Sequence, residues 1–271
     1  MVLGEDLVIL GDIMDSRLSG VKAVFLDLDG TIYLGGNLIN GALDFLKRCE
    51  EMGVKRYFLS NNSSRSVEQY VAKLNKMGIP CGPEDVLLST HDLLSWLSKN
   101  GITRTWAIAT AGMRSMMEDV GITTKDDDPQ YVVLGYDTEI DYEKISTASI
   151  HMHRGVPLVA SHPDMVCPSP DGGLPDVGAY LAMLKVTTGK DPVHITGKPN
   201  PGMIMHKIVE LGLNPAECAM VGDRLYTDME MAVQAGCVSV LVLSGEATRS
   251  DLSKSRMDVS VVVESVDELL R

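Results

Sequence analysis

The stretch Ala23-Val24-Phe25-Leu26-Asp27-Leu28-Asp29-Gly30-Thr31 decides how the rest of the chain is read. Val21 and Ala23 to Leu26 form an apolar run that ends in two aspartates, a glycine and a threonine. Such a run, closed by glycine, reads as a buried strand. The aspartates then stand at its C-terminal end, where open α/β sheets place their ligands. Side chains two residues apart on a strand point the same way, and two carboxylates aimed into one space repel. A divalent cation relieves that repulsion, as does a split in pKa that leaves one Asp ionised and lets the other carry a proton. A strand ending in an ordinary Asp-Gly turn would look the same over this stretch, so partners elsewhere must decide.

Downstream, Ile32-Tyr33-Leu34-Gly35-Gly36-Asn37 suits a tight excursion over the strand end. Helical patterning over Gly41–Met52, a strand over Val54–Leu59, a helix over Val67–Met77 and a short strand over Val86–Ser89 follow. This β-α-β-α-β rhythm implies a parallel sheet. From about His91 the texture changes to a second α/β unit, with strands at Trp106–Thr110, Tyr131–Leu134 and Leu158–Ala160 between helical segments. The first texture resumes near Val193. Asn200 is read there as the N-cap and Pro201 as the first residue of a helix. Ala219–Asp223 is a strand delivering a carboxylate, and Asp228–Ala235 is a helix. Upstream, Leu3, Leu7, Leu10 and Met14 fall at helical spacing in an extension over residues 1–20.

The chain has 271 residues and a formal net charge of −13. That balance disfavours a nucleic-acid backbone or an anionic membrane surface as a partner, while a local metal and a lysine could still hold a small phosphorylated substrate. Met1–Asp6 has no basic segment of a signal peptide, and no apolar run approaches the ~18 residues of a membrane span. The 5 cysteines are scattered without a Cys-x-x-Cys pair, which favours reduced thiols in a cytoplasmic protein over a zinc or disulfide framework.

Four groups stand at strand ends or just past them: Asp27 with Asp29, Ser60, Lys198, and Asp223 with Asp228. Each alone is weak. Gly197-Lys198-Pro199 lacks the preceding glycine of a phosphate-binding P-loop. Together they hold every group needed for phosphoryl transfer through an aspartyl intermediate. A phosphate ester repels an attacking carboxylate, so a cation is required, and Mg²⁺ prefers oxygen ligands. Asp27, Asp223 and the carbonyl of Asp29 can supply these, while Lys198 adds charge on the transferring group. The Ser60 hydroxyl and the amides near Gly30 and Asn61 can donate to its oxygens. Asp27 is assigned as nucleophile, Asp29 as general acid and then base, Thr31 as a support for Asp29, and Asp228 as a group orienting water at the cation.

These motifs resemble the haloacid dehalogenase superfamily of Mg²⁺-dependent phosphatases: Asp27-Leu28-Asp29-Gly30-Thr31, Ser60-Asn61-Asn62, Gly197-Lys198-Pro199, and Gly222-Asp223 with Asp228. Asn61-Asn62-Ser63-Ser64, Lys198-Pro199-Asn200-Pro201, Val133–Asp137 and Ala160–Asp164 are similar to its NagD-like branch with a C2a cap. The resemblance implies an α/β fold in which a Rossmann-like core, residues 1–90 and 192–271, carries an inserted α/β cap at 91–191. It also implies, as often in that branch, a homodimer through the caps. Expected substrates are small metabolites such as sugar phosphates, phosphoglycolate or glycerol phosphate, and aryl phosphates in vitro. A phosphotransferase or mutase, or a non-catalytic phospho-Asp receiver, are the alternatives.

Many relatives read Thr-Asn-Pro-Asp where this chain has Ser161-His162-Pro163-Asp164. In that branch this cap loop faces the active site, so Asp164 and Asn62 join the substrate-binding set. His162 either touches the leaving group or caps local backbone. Arg65 either reaches substrate phosphate or pairs on the surface, the second being favoured, and Asp126–Asp128 is read as a solvated loop.

Overall fold

The computed structural model describes residues 18–167 and 172–270. The expected helix around Leu3–Met14 lies outside them. In chain order come β1 (Ala23–Asp27), the hairpin β2 (Tyr33–Leu34) and β3 (Asn37–Leu38), α1 (Ala42–Glu51), β4 (Lys55–Ser60), α2 (Val67–Lys76), β5 (Val86–Leu88) and α3 (Ser89–Lys99). Next are β6 (Thr105–Ile108), α4 (Ala111–Asp119), β7 (Tyr131–Leu134), α5 (Tyr142–His153), β8 (Leu158–Ala160), the strands β9 (Val166–Cys167) and β10 (Leu174–Pro175), α6 (Val177–Thr188) and β11 (His194–Ile195). The chain closes with α7 (Gly202–Glu210), β12 (Cys218–Gly222), α8 (Glu230–Ala235), β13 (Val238–Val242), α9 (Arg249–Ser255) and β14 (Val261–Val263).

The strands of the first and last thirds make one parallel sheet, ordered β14-β13-β12-β1-β4-β5. From β1 the chain steps outward through β4 and β5. From β12 it steps outward the other way. The order therefore reverses between β1 and β12, and helices leaving on opposite faces open a crevice at that switch point. Leu26 pairs with Val221, so Asp27 and Asp223 emerge side by side at its floor.

Both faces of this sheet are covered, which explains why β12, β14 and β1 up to Asp27 carry no polar side chain of the charged or amide kind. Val24 and Leu26 face a core with Phe45 and Leu46 of α1 and Leu74 of α2. Ala23 and Phe25 face the other core, with Ile204 of α7 and Met231 of α8. A second parallel sheet, β11-β8-β7-β6, stands between β5 and β12 in sequence. Leu93 of α3 and Met113 of α4 cover one face, and Met152 of α5 and Leu184 of α6 the other.

Several local expectations shift. The helix after Lys198 starts at Gly202, with Pro201 at its N-cap position and no side-chain cap. Asn200 turns its side chain away to donate to the Ile195 carbonyl at 2.6 Å. Thr110 does not end β6; its hydroxyl caps α4 by accepting from Met113 N at 3.3 Å. Helix α3 begins at Ser89, directly on the end of β5. The two-residue strands β2, β3, β9, β10 and β11 are too short to show a period in sequence.

Candidate active site

Four side chains from distant parts of the chain meet in the crevice. Asp27 is the last residue of β1, and its Oδ1 accepts from Lys198 Nζ. Lys198 Nζ also donates to Asp228 Oδ1 at 2.7 Å. Asp223 follows β12; its Oδ2 accepts from Glu246 N at 2.7 Å, while its buried Oδ1 has no hydrogen-bond partner. One oxygen from each of Asp27, Asp223 and Asp228 lies within 4.8 Å of the others.

The expected helix start at Asp228 is instead a π turn over Leu225–Met229, and α8 begins only at Glu230. The wider turn brings the Asp228 carboxylate back onto the strand end, where Oδ2 accepts from Arg224 N at 3.1 Å. Both of its oxygens are therefore engaged within the protein.

Burial shapes the charges. Desolvation, then the charges of Asp27 and Asp228, push the Asp223 carboxyl well above its ordinary range. Asp228 is raised by burial against the opposing pull of Lys198. Burial works to lower the Lys198 ammonium, but Asp228 and Asp27 outweigh it and hold the lysine charged. Three carboxylates thus share one ammonium in a buried space. The orphaned Asp223 Oδ1 and the all-oxygen donor set fit a hard divalent cation. The carboxylate of Asp29 is outside this trio, so only its main chain could join as ligand. Asp29 is more exposed; burial, with the charge of Asp27, raises its carboxyl, and Lys73 pulls the other way.

Backbone geometry makes room for Asp223. Gly30 has φ +96°, and a Cβ there would meet Asp223 Cγ at 2.7 Å. Ser244 Oγ donates to the Gly30 carbonyl at 2.7 Å and ties this turn to the loop after β13.

Lys198 is held from both sides. Its N–H donates to Asn61 Oδ1 at 2.8 Å, and Asn61 Nδ2 donates to its carbonyl at 3.1 Å. Asp92, buried on α3, accepts from Gly197 N at 3.0 Å. Asn61 Nδ2 also reaches Asp164 Oδ1 at 3.2 Å, joining the two sheets' loops. Ser60 Oγ accepts from Asn62 N at 3.1 Å and shares a hydrogen bond with the Tyr70 hydroxyl at 2.9 Å. Asn62 Oδ1 accepts from Ser64 N at 2.9 Å.

These residues border a cavity of about 150 Å³ whose lining includes Asp27, Asp29, Ser60, Asn62, Asp164 and Lys198. Arg65, for which the sequence favours surface pairing, lines it as well, as do Lys73 and Arg224. Lys73 Nζ donates to the Tyr33 hydroxyl at 2.8 Å. Lys73 and Tyr70 stand at i and i+3 on one helix face, a spacing that could have flagged Lys73 once Tyr70 was placed. Nothing in the sequence pattern pointed to Asp92 or Asp176.

Two expectations are corrected. Thr31 is fully buried and its hydroxyl has no partner, so it does not hold Asp29. The turn is closed by main-chain bonds instead, with Gly30 N donating to the Tyr33 carbonyl at 2.7 Å. His162 is 0 % exposed and stands behind the cavity wall rather than in it, between Asp164 and Asp176. Neither ring nitrogen is hydrogen-bonded to backbone, so the reading of His162 as a local backbone cap is the one corrected.

A parallel α/β core with an acidic trio, a lysine and a hydroxyl at its switch point defines a class. The chain belongs to the haloacid dehalogenase-like hydrolases, whose family model matches residues 24–123; a second model, of HAD-like hydrolases, matches 195–269. Within that family it is NagD-like. It is 31% identical over 253 residues to an acid sugar phosphatase of Staphylococcus aureus, covering 92% of this chain and 96% of the relative. The crystal structure of a 4-nitrophenylphosphatase from Thermotoga maritima superposes with a TM-score of 0.90 at 36% identity, over 94% of this chain and 98% of that one. A glycerol phosphate phosphatase from Mycobacterium tuberculosis, solved with magnesium, gives 0.87 at 27% identity, over 95% of this chain and 78% of that one.

Proposed function

We propose that this phosphomonoester hydrolase cleaves a small phosphorylated metabolite through a phospho-aspartyl intermediate, with Mg²⁺ as cofactor. The observation that carries this reading is the meeting of Asp27, Asp223, Asp228 and Lys198 at one point of the crevice. Asp27 and Asp223 would hold the ion, together with the Asp29 carbonyl, and Asp228 would orient water beside it. The ion supplies positive charge against the phosphate, which lets a carboxylate approach it.

The protein's own groups do the rest. Asp27 Oδ1 is bonded to Lys198, which fixes the carboxylate in the crevice for attack on phosphorus. The phosphorus–oxygen bond of the ester breaks as the Asp27–phosphorus bond forms. The leaving oxygen takes its proton from Asp29, whose raised pKa lets it carry one. Asp29 then takes a proton from the water that hydrolyses the acyl phosphate, returning Asp27. Lys198, the Ser60 hydroxyl and the amides near Gly30 and Asn61 bind the phosphoryl oxygens. Asn62 and Asp164 face the organic part of the substrate.

Sugar phosphates, glycerol phosphate and nitrophenyl phosphate, named for the relatives above, are the first substrates to try, with phosphoglycolate beside them. We assign residues 1–90 and 192–271 to the catalytic core and 91–191 to a cap, and infer a cap-mediated homodimer from the family resemblance. Cysteines 49, 81, 167, 218 and 237 form no disulfide among the described residues, which favours a reducing cytoplasmic setting. Among the described residues, no helix is long and apolar enough to cross a membrane.

The test is phosphate release from 4-nitrophenyl phosphate and glycerol phosphate with Mg²⁺ and no added acceptor. Wild type should turn over, and Asp27→Asn should abolish turnover while leaving the circular dichroism unchanged. Near-wild-type hydrolysis by Asp27→Asn overturns the nucleophile. Transfer to an added alcohol with no release to water would make the protein a transferase.

A further inference from the structure

We propose that His162, Asp164 and Asp176 form a second cation site in the cap wall of the cavity, selective for a nitrogen-accepting metal such as Mn²⁺, Co²⁺ or Zn²⁺. This site shares Asp164 with the substrate-facing wall of the cavity but does not depend on the phospho-aspartyl chemistry above.

The first observation is an orphaned ring. His162 is 0 % exposed and both of its nitrogens lack a hydrogen-bond partner. Buried polar groups are nearly always paired, so such a ring calls for an explanation. The second is where it points. Nδ1 lies 3.8 Å from Asp164 Oδ2, and Nε2 lies 3.6 Å from Asp176 Oδ1. Both separations are too long for hydrogen bonds. The two nitrogens point to opposite sides of the ring, so one ion takes one of them; at Nε2 the gap to Asp176 Oδ1 suits neighbouring donors of one ion, which metal bonds of ~2.0–2.2 Å set roughly 3–4 Å apart, with an oxygen of Asp164 as the third donor. One nitrogen of His162 and one oxygen of each aspartate lie within 4.8 Å of one another.

Protonation agrees with the geometry. Burial holds the imidazole down to about 4, so at neutral pH the ring is uncharged and has a lone pair to give. Burial pushes Asp176 up to about 7. A cation would displace that proton, as metal binding at buried carboxylates does. The other groups facing the cluster leave it short of positive charge. Val177 N donates to Asp176 Oδ1 at 2.7 Å, Asn61 Nδ2 donates to Asp164 Oδ1 at 3.2 Å, and Arg224 is 3.6 Å from Asp164 Oδ2. Tyr136, Cys167 and Tyr180 sense the Asp176 charge from the cap side. The Arg224 guanidinium faces the two carboxylates, and the Lys198 charge is felt at His162.

The donor set separates this site from the catalytic one. Nitrogen with two oxygens suits transition metals, whereas Mg²⁺ prefers oxygen alone and keeps its waters. An ion here would tie the loop after β8 to the start of α6. It would also add positive charge to the wall that Asp164 and Asp176 present to the cavity.

The experiment uses the full chain, stripped with EDTA and titrated with Co²⁺ in the presence of excess Mg²⁺. The expected result is one equivalent of Co²⁺ that Mg²⁺ does not displace, with visible absorption of a nitrogen- and oxygen-ligated ion. It should persist in Asp27→Asn/Asp223→Asn and vanish in both His162→Leu and Asp176→Asn, each checked for folding by circular dichroism. On the wild-type chain, Zn²⁺ should move the ¹⁵N resonance of one His162 ring nitrogen, a reading that needs no variant. The site is refuted if the equivalent survives in both cap variants, if Mg²⁺ displaces it, or if the His162 ring is unaffected by Zn²⁺. A His162 resonance that titrates as a free imidazolium between the carboxylates would show a charge pair in place of a metal site, and would equally refute it.

Discussion

Removing the Lys198 ammonium should destabilise the metal-free protein and disable it, yet leave Mg²⁺ binding intact. Lys198 Nζ is bonded to Asp27 Oδ1 and stands 2.7 Å from Asp228 Oδ1. At that distance one pair is worth ~6 kcal/mol in a medium of effective dielectric ~20, and the desolvation of the buried ammonium returns much of it. Lys198→Met deletes the cation and leaves three buried carboxylates facing one another. Breaking a buried ion pair in this way costs ~3–5 kcal/mol. For a protein of this size that lowers the melting temperature by on the order of 10 °C. Mg²⁺ should recover much of the loss, because it meets a site with one less competing positive charge. Turnover should not recover, since the lysine also serves the phosphoryl oxygens; loss of one such donor costs ~10²–10³ in kcat. Thermal melts in EDTA and in Mg²⁺, isothermal titration with Mg²⁺, and phosphate release read the three effects separately. A variant that melts like wild type in EDTA, or keeps kcat within a few-fold, would refute the account of Lys198 as the counter-ion of the trio.

Gly30→Ala should lose Mg²⁺ affinity and turnover together, because its Cβ would press on Asp223 from a backbone with φ +96°; titration calorimetry beside phosphate release checks it, and unchanged Mg²⁺ binding would contradict it. Asp92→Ala frees the Gly197 N–H and slackens the Lys198 loop, so kcat should fall ~10-fold with KM little changed, the size of one lost charged hydrogen bond. Asp92→Asn keeps an acceptor and should restore most of it. His162 carries a pH signature: its folded pKa of about 4 lies below its ordinary 6.5, so its contribution is present above 6.5 and is lost as pH falls through 4. Urea melts of the EDTA-treated protein should show stability rising from pH 4 to 6.5, and His162→Leu should flatten that slope.

Much of the catalytic reading was legible because its residues sit in local patterns. Asp27 and Asp29 follow an apolar run, Asp223 follows another, and Gly197-Lys198-Pro199 precedes a helix. Strand ends and helix starts are set by neighbours in sequence, so their ligands can be read there. The elements that failed did so for identifiable reasons. Propensity places Asn200 as a helix cap, but the Ile195 carbonyl, brought close by β11, offers it a better partner. Asp228 was read as a helix start, while a π turn is what carries its carboxylate back to Lys198. Two-residue strands such as β2 and β9 have no period to detect.

From its residues alone the chain declared an α/β sheet with acidic groups at the ends of β1 and β12, since buried parallel strands need unbroken apolar runs and polar residues can return only where those runs stop. Folding chose the company those groups keep: Asp92 beneath Gly197, Arg65 and Lys73 at the cavity, and His162 sealed between Asp164 and Asp176. The Asp92–Gly197 contact joins positions 105 residues apart, and His162 meets Asp176 only because the loop after β8 folds back on the start of α6. Tertiary packing sets such distances, and no pattern of neighbouring residues encodes them.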